Sequence, residues 1–218
     1  MIEICKSMSE ISVDDFQGLD NDNPFMKYDF LWSLESSGCA SDTFGWAPNH
    51  LIEKNEQGHI TCFTPAYLKY NSFGEYIFDH AWVDFYNKVN IKYFPKLLVA
   101  IPFTPIRSCK FLTKSNVANG KEKSIKAIKS LLNKYDISSA HINFIEDPEI
   151  GILQDNNFIK RNSKQFIWDN QNYKNFDEFL HSLNARKRKM INKERKRGRK
   201  VFLFTSWIRV VLFLSTRV

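Results

Sequence analysis

The sequence predicts an α/β (α+β) fold in which a central mixed sheet is flanked by helices. Predicted strands and helices alternate along most of the chain, a pattern that favours a mixed class. Residues 96–101 form a near-continuous apolar run, as in a strand covered on both faces. Residues 122–135 repeat apolar side chains at helical spacing. With 218 residues, 43% of them hydrophobic, the chain can bury a sizeable core.

The first half of the chain is predicted to hold one helix and one hairpin. The helix is expected to run from Asn23 through Leu34, since Asn followed by Pro is typical of a helix start. Residues 50–53 and 59–63 are predicted strands, joined by a turn at residues 55–58.

The second half is predicted to add two strands and two helices to the helix at 122–135. Apolar and polar residues alternate over residues 140–144, and residues 158–168 are the second predicted strand. A helix is expected to begin at Asp147, which precedes a proline. Asn175, with Glu178 three residues later, resembles a capping box that opens the last helix.

Composition and short motifs exclude several classes of protein. Four separated cysteines (Cys5, Cys39, Cys62, Cys109) form no C-x-x-C pair, so neither a metal site nor a disulfide framework is expected. No dinucleotide-binding, P-loop, zinc-protease or serine-hydrolase motif is present. The N-terminus lacks the pattern of a signal peptide, so a reducing cytoplasm is the expected location.

Net charge is distributed unevenly along the chain. The whole sequence carries a formal +7, but residues 186–218 hold twelve basic residues and one acid, Glu194. The first 185 residues therefore have a net charge of −4. Any affinity for polyanions is thus a property of one short segment.

Residues 73–86 are the densest candidate for catalysis. They place Glu75, Asp79, Asp84 and His80 among six aromatic residues. A carboxylate held against aromatic rings is desolvated, which raises its pKa and suits it to accept a proton from an amine. The competing interpretation is that the carboxylates cap helices or form ion pairs while the aromatic rings are core.

A second candidate region surrounds the predicted strand at 96–101. Tyr93 and Lys96 precede or open the strand, and residues 102–105 (Pro-Phe-Thr-Pro) follow it. Two prolines at a strand end produce a rigid, exposed loop that could form the wall of a pocket for an acyl or peptidyl substrate. A simple strand terminator is the alternative.

The basic segment, residues 186–200, is predicted to continue the last helix without a break from Phe176. Its cations point to several sides of the helix, so these side chains repel one another unless bound phosphate groups neutralise them. An alternative function is therefore non-catalytic binding of tRNA or another RNA. The cations predicted to contact nucleic acid are Arg186, Lys187, Arg188, Lys189, Lys193, Arg195, Lys196 and Arg197.

Taken together, these segments resemble the FemAB-like branch of the GNAT acyltransferase superfamily, the peptidoglycan biosynthesis/recognition proteins. The resemblance covers nearly all of residues 20–200. It rests on Asn-Pro-Phe at 23–25, Gly-Glu-Tyr-Ile-Phe-Asp at 74–79, Ala-Trp-Val-Asp at 81–84, Tyr-Phe-Pro-Lys-Leu at 93–97, Pro-Phe-Thr-Pro at 102–105 and Ser-Leu-Asn-Ala-Arg-Lys-Arg-Lys at 182–189.

The resemblance implies a GNAT-like fold and transfer of an acyl or aminoacyl group to an amine, with acetyl-CoA or aminoacyl-tRNA as donor. A cell-wall precursor or tRNA would be the partner, and no metal is expected. The residues expected to handle protons are Asp79, Asp84 and Glu75. Those expected to bind substrate are Trp82 and Tyr93 in the acceptor pocket, Lys96 against an anionic group, and His80.

Three segments are expected along the chain: a domain at residues 1–185, the basic helix at 186–200, and an apolar tail at 201–218. The tail lacks clean strand or helix periodicity and is interpreted as foreign to the family, as in a truncated or frameshifted, inactive transferase. A native terminal strand is the alternative. The apolar run is too short for a membrane span and contains Arg209, so no transmembrane segment is expected.

Overall fold

The computed structural model describes residues 2–205 except 20, 21, 116 and 118, with side chains described through Gly198. The chain divides into two compact units, which we call unit 1 (Met1–Ser163) and unit 2 (Lys164–Val218).

Unit 1 contains two four-stranded sheets. The strands are β1 (Ile2–Cys5), β2 (Ala47–Pro48), β3 (His50–Lys54), β4 (Ile60–Thr64), β5 (Ala66–Lys69), β6 (Lys96–Val99), β7 (Leu112–Thr113) and β8 (Ala140–Ile142). The first sheet has the order β1-β3-β4-β7 and is antiparallel throughout. The second has the order β2-β5-β6-β8, with β6 and β8 parallel. The mixed α/β class is thereby confirmed, but the strands do not form the one central sheet that the sequence predicted.

The two sheets share one bent hairpin. Its first arm is β2 plus β3 and its second arm is β4 plus β5, and the residue pairing keeps the same register from Pro48 opposite Tyr67 to Leu51 opposite Thr64. Pro65 sits at the bend, where it cannot donate a ladder hydrogen bond. At the same place the Ala66 amide donates to Nδ1 of buried His50, at 3.2 Å, and not to a carbonyl of the facing strand. The Asn49 amide still donates to the Ala66 carbonyl at 2.8 Å, so the ladder loses one of the two bonds of this pair where the hairpin continues into a second sheet.

The helices cover the sheets and bury three apolar clusters. In unit 1 they are α1 (Val13–Phe16), α2 (Tyr28–Ser36), α3 (His80–Lys88), α4 (Gly120–Lys134) and α5 (Asp147–Asp155), with 3-10 turns at Met8–Glu10, Pro24–Met26 and Asp42–Phe44. The N-terminal elements pack on Phe63 and Ile52. Helices α4 and α5 pack on Leu51 and Val99 through Ile125, Ile128 and Leu153.

The predicted hairpin, the helix near 122–135, the strand near 140–144 and the helix start at Asp147 are confirmed. The continuous helix from Asn23 is wrong. A 3-10 turn comes first, and Lys27, with ψ of 151°, separates it from α2.

The predicted strand at 158–168 is wrong as well. Residues 159–173 have no regular structure, and β8 pairs only with β6 in the described part of the chain. Phe158 packs on the core, but the Ile159 side chain is 95% exposed. The β-branched and aromatic residues of this stretch thus find no neighbouring strand to pair with.

Unit 2 contains α6 (Phe176–Ser182) and α7 (Ala185–Thr205). The predicted start is confirmed, because the Glu178 amide donates to Oδ1 of Asn175 at 2.9 Å. The unbroken helix is wrong: Leu183 is extended, and Asn184 Oδ1 accepts from the Lys187 amide to open a new helix. The predicted tail at 201–218 lies mostly outside the described residues, and the boundaries at 185 and 200 stay predictions.

Candidate active site

Two buried lysines lie side by side in the second sheet. Lys69 ends β5, Lys96 opens β6, and the register places them directly opposite each other. Both side chains are fully buried. Like charges opposite each other in a sheet are destabilising, so this pair requires anionic groups close by.

The anionic groups come from the loop that follows β5, residues 70–79. Lys96 Nζ lies 2.7 Å from Asp79 Oδ2 and 2.9 Å from Glu75 Oε2, and both carboxylates are buried. The same ammonium donates to Ser72 Oγ at 3.1 Å. We call Lys69, Ser72, Glu75, Asp79, Tyr93 and Lys96 the buried charge cluster.

The two carboxylates have unequal hydrogen bonding. Asp79 Oδ2 accepts three hydrogen bonds, from Lys96 Nζ, Tyr93 OH (2.8 Å) and Ser72 Oγ (2.8 Å). Among the described residues no donor meets Asp79 Oδ1 or Glu75 Oε1, and the contact of Glu75 Oε2 with Lys96 lacks hydrogen-bond geometry. Buried polar atoms without a partner are rare in folded proteins, and these mark a position where a donor would fit.

Burial and hydrogen bonding move the pKa values of the two carboxyls in opposite directions. Burial raises the pKa of Glu75 despite the nearby ammonium groups of Lys96 and Lys69. Burial acts in the same sense on Asp79, but hydrogen bonds from Lys96, Tyr93 and Ser72 outweigh it and hold the pKa of Asp79 below its ordinary value. Asp79 is therefore the permanent anion, and Glu75 is the carboxyl suited to exchange a proton.

Two further groups of the site have lowered pKa values. Burial, together with the charge of Lys96, lowers the pKa of Lys69 to about 8 although Glu75 acts in the opposite sense. Burial and the Lys96 charge lower the pKa of His141, whose ring lies 6.0 Å from that of Tyr93, to about 4. His141 is thus neutral at physiological pH, and Lys69 releases its proton more readily than an ordinary lysine.

Backbone and side-chain contacts hold the loop 70–79 in place. The Phe73 carbonyl accepts from Lys69 Nζ at 3.0 Å and from Trp46 Nε1 at 3.2 Å. Gly74 has φ of 75°, and a Cβ there would lie 2.5 Å from the Phe103 ring. Phe103 belongs to the loop 102–105, so this loop packs against the loop that carries Glu75 and Asp79, while its role as a pocket wall stays a prediction.

Two aromatic residues at the site have left-handed backbone conformations. Tyr76 and Phe103 have φ of 55° and 56°. Bulky side chains rarely adopt this region, and such strain is concentrated at functional sites.

The structure brings together four of the seven predicted catalytic and substrate-binding residues: Glu75, Asp79, Tyr93 and Lys96. The other three, His80, Trp82 and Asp84, are exposed on α3. This helix has no buried residue, and it contacts the cluster through Tyr86, whose ring lies 5.2 Å from that of Tyr93. Roles for His80, Trp82 and Asp84 stay predictions.

Sequence reasoning missed Lys69, Ser72, Trp46 and His141. Lys69 ends a short apolar strand, and its pairing with Lys96 depends on a strand register that the sequence does not show. Ser72 lies one residue before the candidate stretch 73–86. Its proximity to the Gly-Glu-Tyr-Ile-Phe-Asp motif was the one available signal.

The basic residues predicted to contact nucleic acid lie on α7 in unit 2. Arg188 is half-buried, and the others, Arg186, Lys187, Lys189, Lys193, Arg195, Lys196 and Arg197, are exposed.

No cluster of three or more His, Cys, Asp or Glu side chains that could hold a metal occurs in the described part of the chain. Within the same residues no helix is long and apolar enough to cross a membrane.

These observations define a class of protein: a mixed α/β unit that contains a buried acid–base cluster. The profile of the FemAB-like family, described as peptidoglycan biosynthesis/recognition, matches residues 7–210. The chain belongs to this FemAB-like family, whose membership implies peptidoglycan-related aminoacyl transfer at the family level. Comparison with curated proteins and with solved structures returned no match.

Proposed function

We propose that the chain transfers an acyl or aminoacyl group to an amine acceptor, and that the buried charge cluster of unit 1 is the site of transfer. The acceptor is an amine of a cell-wall precursor, in keeping with the family. The donor is an acyl-CoA or an aminoacyl-tRNA, both of which are cytoplasmic. Placement in the GNAT superfamily is part of the same proposal, supported by the mixed α/β fold.

Glu75 is the proposed general base. An amine that attacks an acyl carbonyl must lose a proton, and a carboxylate with a raised pKa accepts it more readily than an ordinary one. Glu75 combines a raised pKa with a free Oε1. The proton passes from the attacking nitrogen to this oxygen as the new amide bond forms and the donor's leaving group departs.

Asp79 and Lys96 are proposed to position Glu75 and the amine. Lys96 contacts both carboxylates, which fixes Glu75 relative to Asp79. Asp79 stays ionised and directs its unpartnered Oδ1 towards a donor such as a substrate ammonium or amine. Tyr93 and Ser72 hold the other oxygen of Asp79.

The observation that carries the proposal is the pair of buried carboxylate oxygens without a donor, Glu75 Oε1 and Asp79 Oδ1. An amine supplies N–H groups to both. Because the cluster is buried, the acceptor reaches it through a local opening beside Glu75 and Asp79. The strained Tyr76 and the close contact of Gly74 with Phe103 both lie next to these carboxylates in the sequence or the structure.

In the test, the full chain is incubated with labelled acetyl-CoA and, separately, with charged tRNA. A peptide that carries a free amine serves as the acceptor. We expect transfer from one donor, and a loss of about 10²–10⁴-fold in rate for Glu75→Gln and for Asp79→Asn. Asp136→Asn, the same change in an exposed Asp–Lys pair, is the matched control and should leave the rate unchanged. Transfer from neither donor, or wild-type rates in both folded variants, would contradict the proposal.

A further inference from the structure

Unit 2 carries two exposed features that the proposed reaction does not use. One is the basic surface of α7. The other is a run of three consecutive apolar residues, Phe166, Ile167 and Trp168, which precedes α6.

The basic surface has almost no internal compensation. Eight cations lie between Arg186 and Arg197, with Glu194 as the one acid among them. Lys189, Lys193 and Lys196 recur at helical spacing, so they share one face, and all three are exposed. Like charges at this spacing repel each other, and an anionic surface would relieve the repulsion.

The apolar run is exposed to a degree that is unusual for consecutive large side chains. Phe166 is fully exposed, Ile167 is 75% exposed and Trp168 is 63% exposed. Adjacent exposed apolar side chains of this size mark an interaction site for protein, ligand or membrane.

Aromatic contacts connect the apolar run to the basic helix. The Trp168 ring lies 5.8 Å from that of Phe179 in α6. Phe176, also in α6, lies under the Arg195 guanidinium of α7, at 3.9 Å. Trp168, at the end of the apolar run, and Arg195 of the basic helix are therefore connected through the aromatic rings of α6.

We propose that unit 2 binds the surface of an anionic lipid bilayer. The cations of α7 contact the lipid headgroups, and Phe166, Ile167 and Trp168 enter the interface. Basic clusters of four to eight Lys/Arg on a helix bind anionic lipids, and Trp is favoured at the membrane interface. RNA would neutralise the cations equally well, but it would leave the Ile167 side chain, which has no ring for stacking, exposed to water.

The test measures co-sedimentation of the full chain with phosphatidylcholine vesicles, with and without phosphatidylglycerol. We expect binding to the anionic vesicles alone, with an affinity that falls as salt rises. The variant Lys189→Gln, Lys193→Gln, Lys196→Gln should bind about a hundredfold more weakly, because each cation near the surface contributes roughly 1 kcal/mol. Lys88→Gln, Lys126→Gln, Lys134→Gln, which removes three exposed cations from unit 1, is the matched control and should bind as the wild type does.

A second pair of variants tests the apolar run. Ile167→Ser should weaken vesicle binding about tenfold, whereas Ile159→Ser, which changes an even more exposed isoleucine of unit 1, should not. Failure to bind anionic vesicles, equal binding to neutral ones, or wild-type binding by the triple lysine variant would overturn the proposal. So would tight, salt-dependent RNA binding without vesicle binding. The assay contains no acyl donor, so its result is independent of the proposed transfer reaction.

Discussion

Lys96 is the residue on which the arrangement of both buried carboxylates depends. Its ammonium contacts Asp79, Glu75 and Ser72 while its side chain is fully buried. Without it, Lys69 would be the one remaining cation of the cluster, which contains two carboxylates. Lys69 is turned towards the Phe73 carbonyl and the Trp46 ring, so it would not replace the lost contacts.

Lys96→Met is therefore expected to lower the free energy of unfolding by about 3–5 kcal/mol, since it leaves buried carboxylates without their counter-ion. Lys92→Met is the matched control: it breaks an exposed Lys–Asp pair and should cost less than about 1 kcal/mol. Urea unfolding of both variants measures the difference. Equal stability of the two variants would show that the buried pair contributes little.

At the residue scale, the sequence predicted four members of the cluster because their motifs combine charge with aromatic residues. It could not predict which carboxylate accepts the proton. That assignment depends on three donors reaching one oxygen of Asp79 and none reaching Glu75 Oε1. The contacts from Tyr93 and Lys96 join residues more than ten positions apart, and no local pattern encodes them.

At the scale of elements, the loop 70–79 is the part of unit 1 that shapes the site. It supplies both carboxylates, and it approaches the loop 102–105 so closely that only glycine fits at position 74. Gly38 offers a comparison, because it has nearly the same φ (77°) and a Cβ added there would have nothing within 4 Å.

Gly38→Ala should lower the free energy of unfolding by about 1–2 kcal/mol, the cost of a left-handed alanine. Gly74→Ala carries the same backbone cost and adds a clash with the Phe103 ring, so it should destabilise by a further ~1–3 kcal/mol, the cost of overpacking. Thermal and urea unfolding of the two variants give the comparison. If the two variants lose the same stability, an added Cβ at position 74 does not clash with the Phe103 ring.

Elements with strong local signals were predicted correctly, and those that depend on neighbours were not. The hairpin of β3 and β4 consists of two runs of strand-forming residues joined by a turn, and α4 has a regular apolar face. The stretch 158–168 has the composition of a strand but no partner, and Leu183 breaks the last helix although helix-forming residues follow it. Pairing and chain direction at such points are set by tertiary contacts.

At the scale of the whole molecule, the site lies in the second sheet of unit 1, at the end of β5 that points away from the bend. The bent hairpin carries β5, whose last residue is Lys69, beyond the point where the first sheet ends. Strand β6 then pairs with β5 and places Lys96 opposite it. The pairing of β5 with β6 in this second sheet thus places the two lysines of the buried charge cluster side by side.

The pH dependence of the transfer rate tests the central claim, that Glu75 is the base, most directly. The base must be ionised, and its pKa is raised above the ordinary value of 4.5, so the wild-type rate should increase with pH through a range above 4.5 and then level off. Glu75→Gln cannot accept a proton, so its rate should be low and should lose this increase. A Glu75→Gln variant with the rate and pH profile of the wild type would contradict the account.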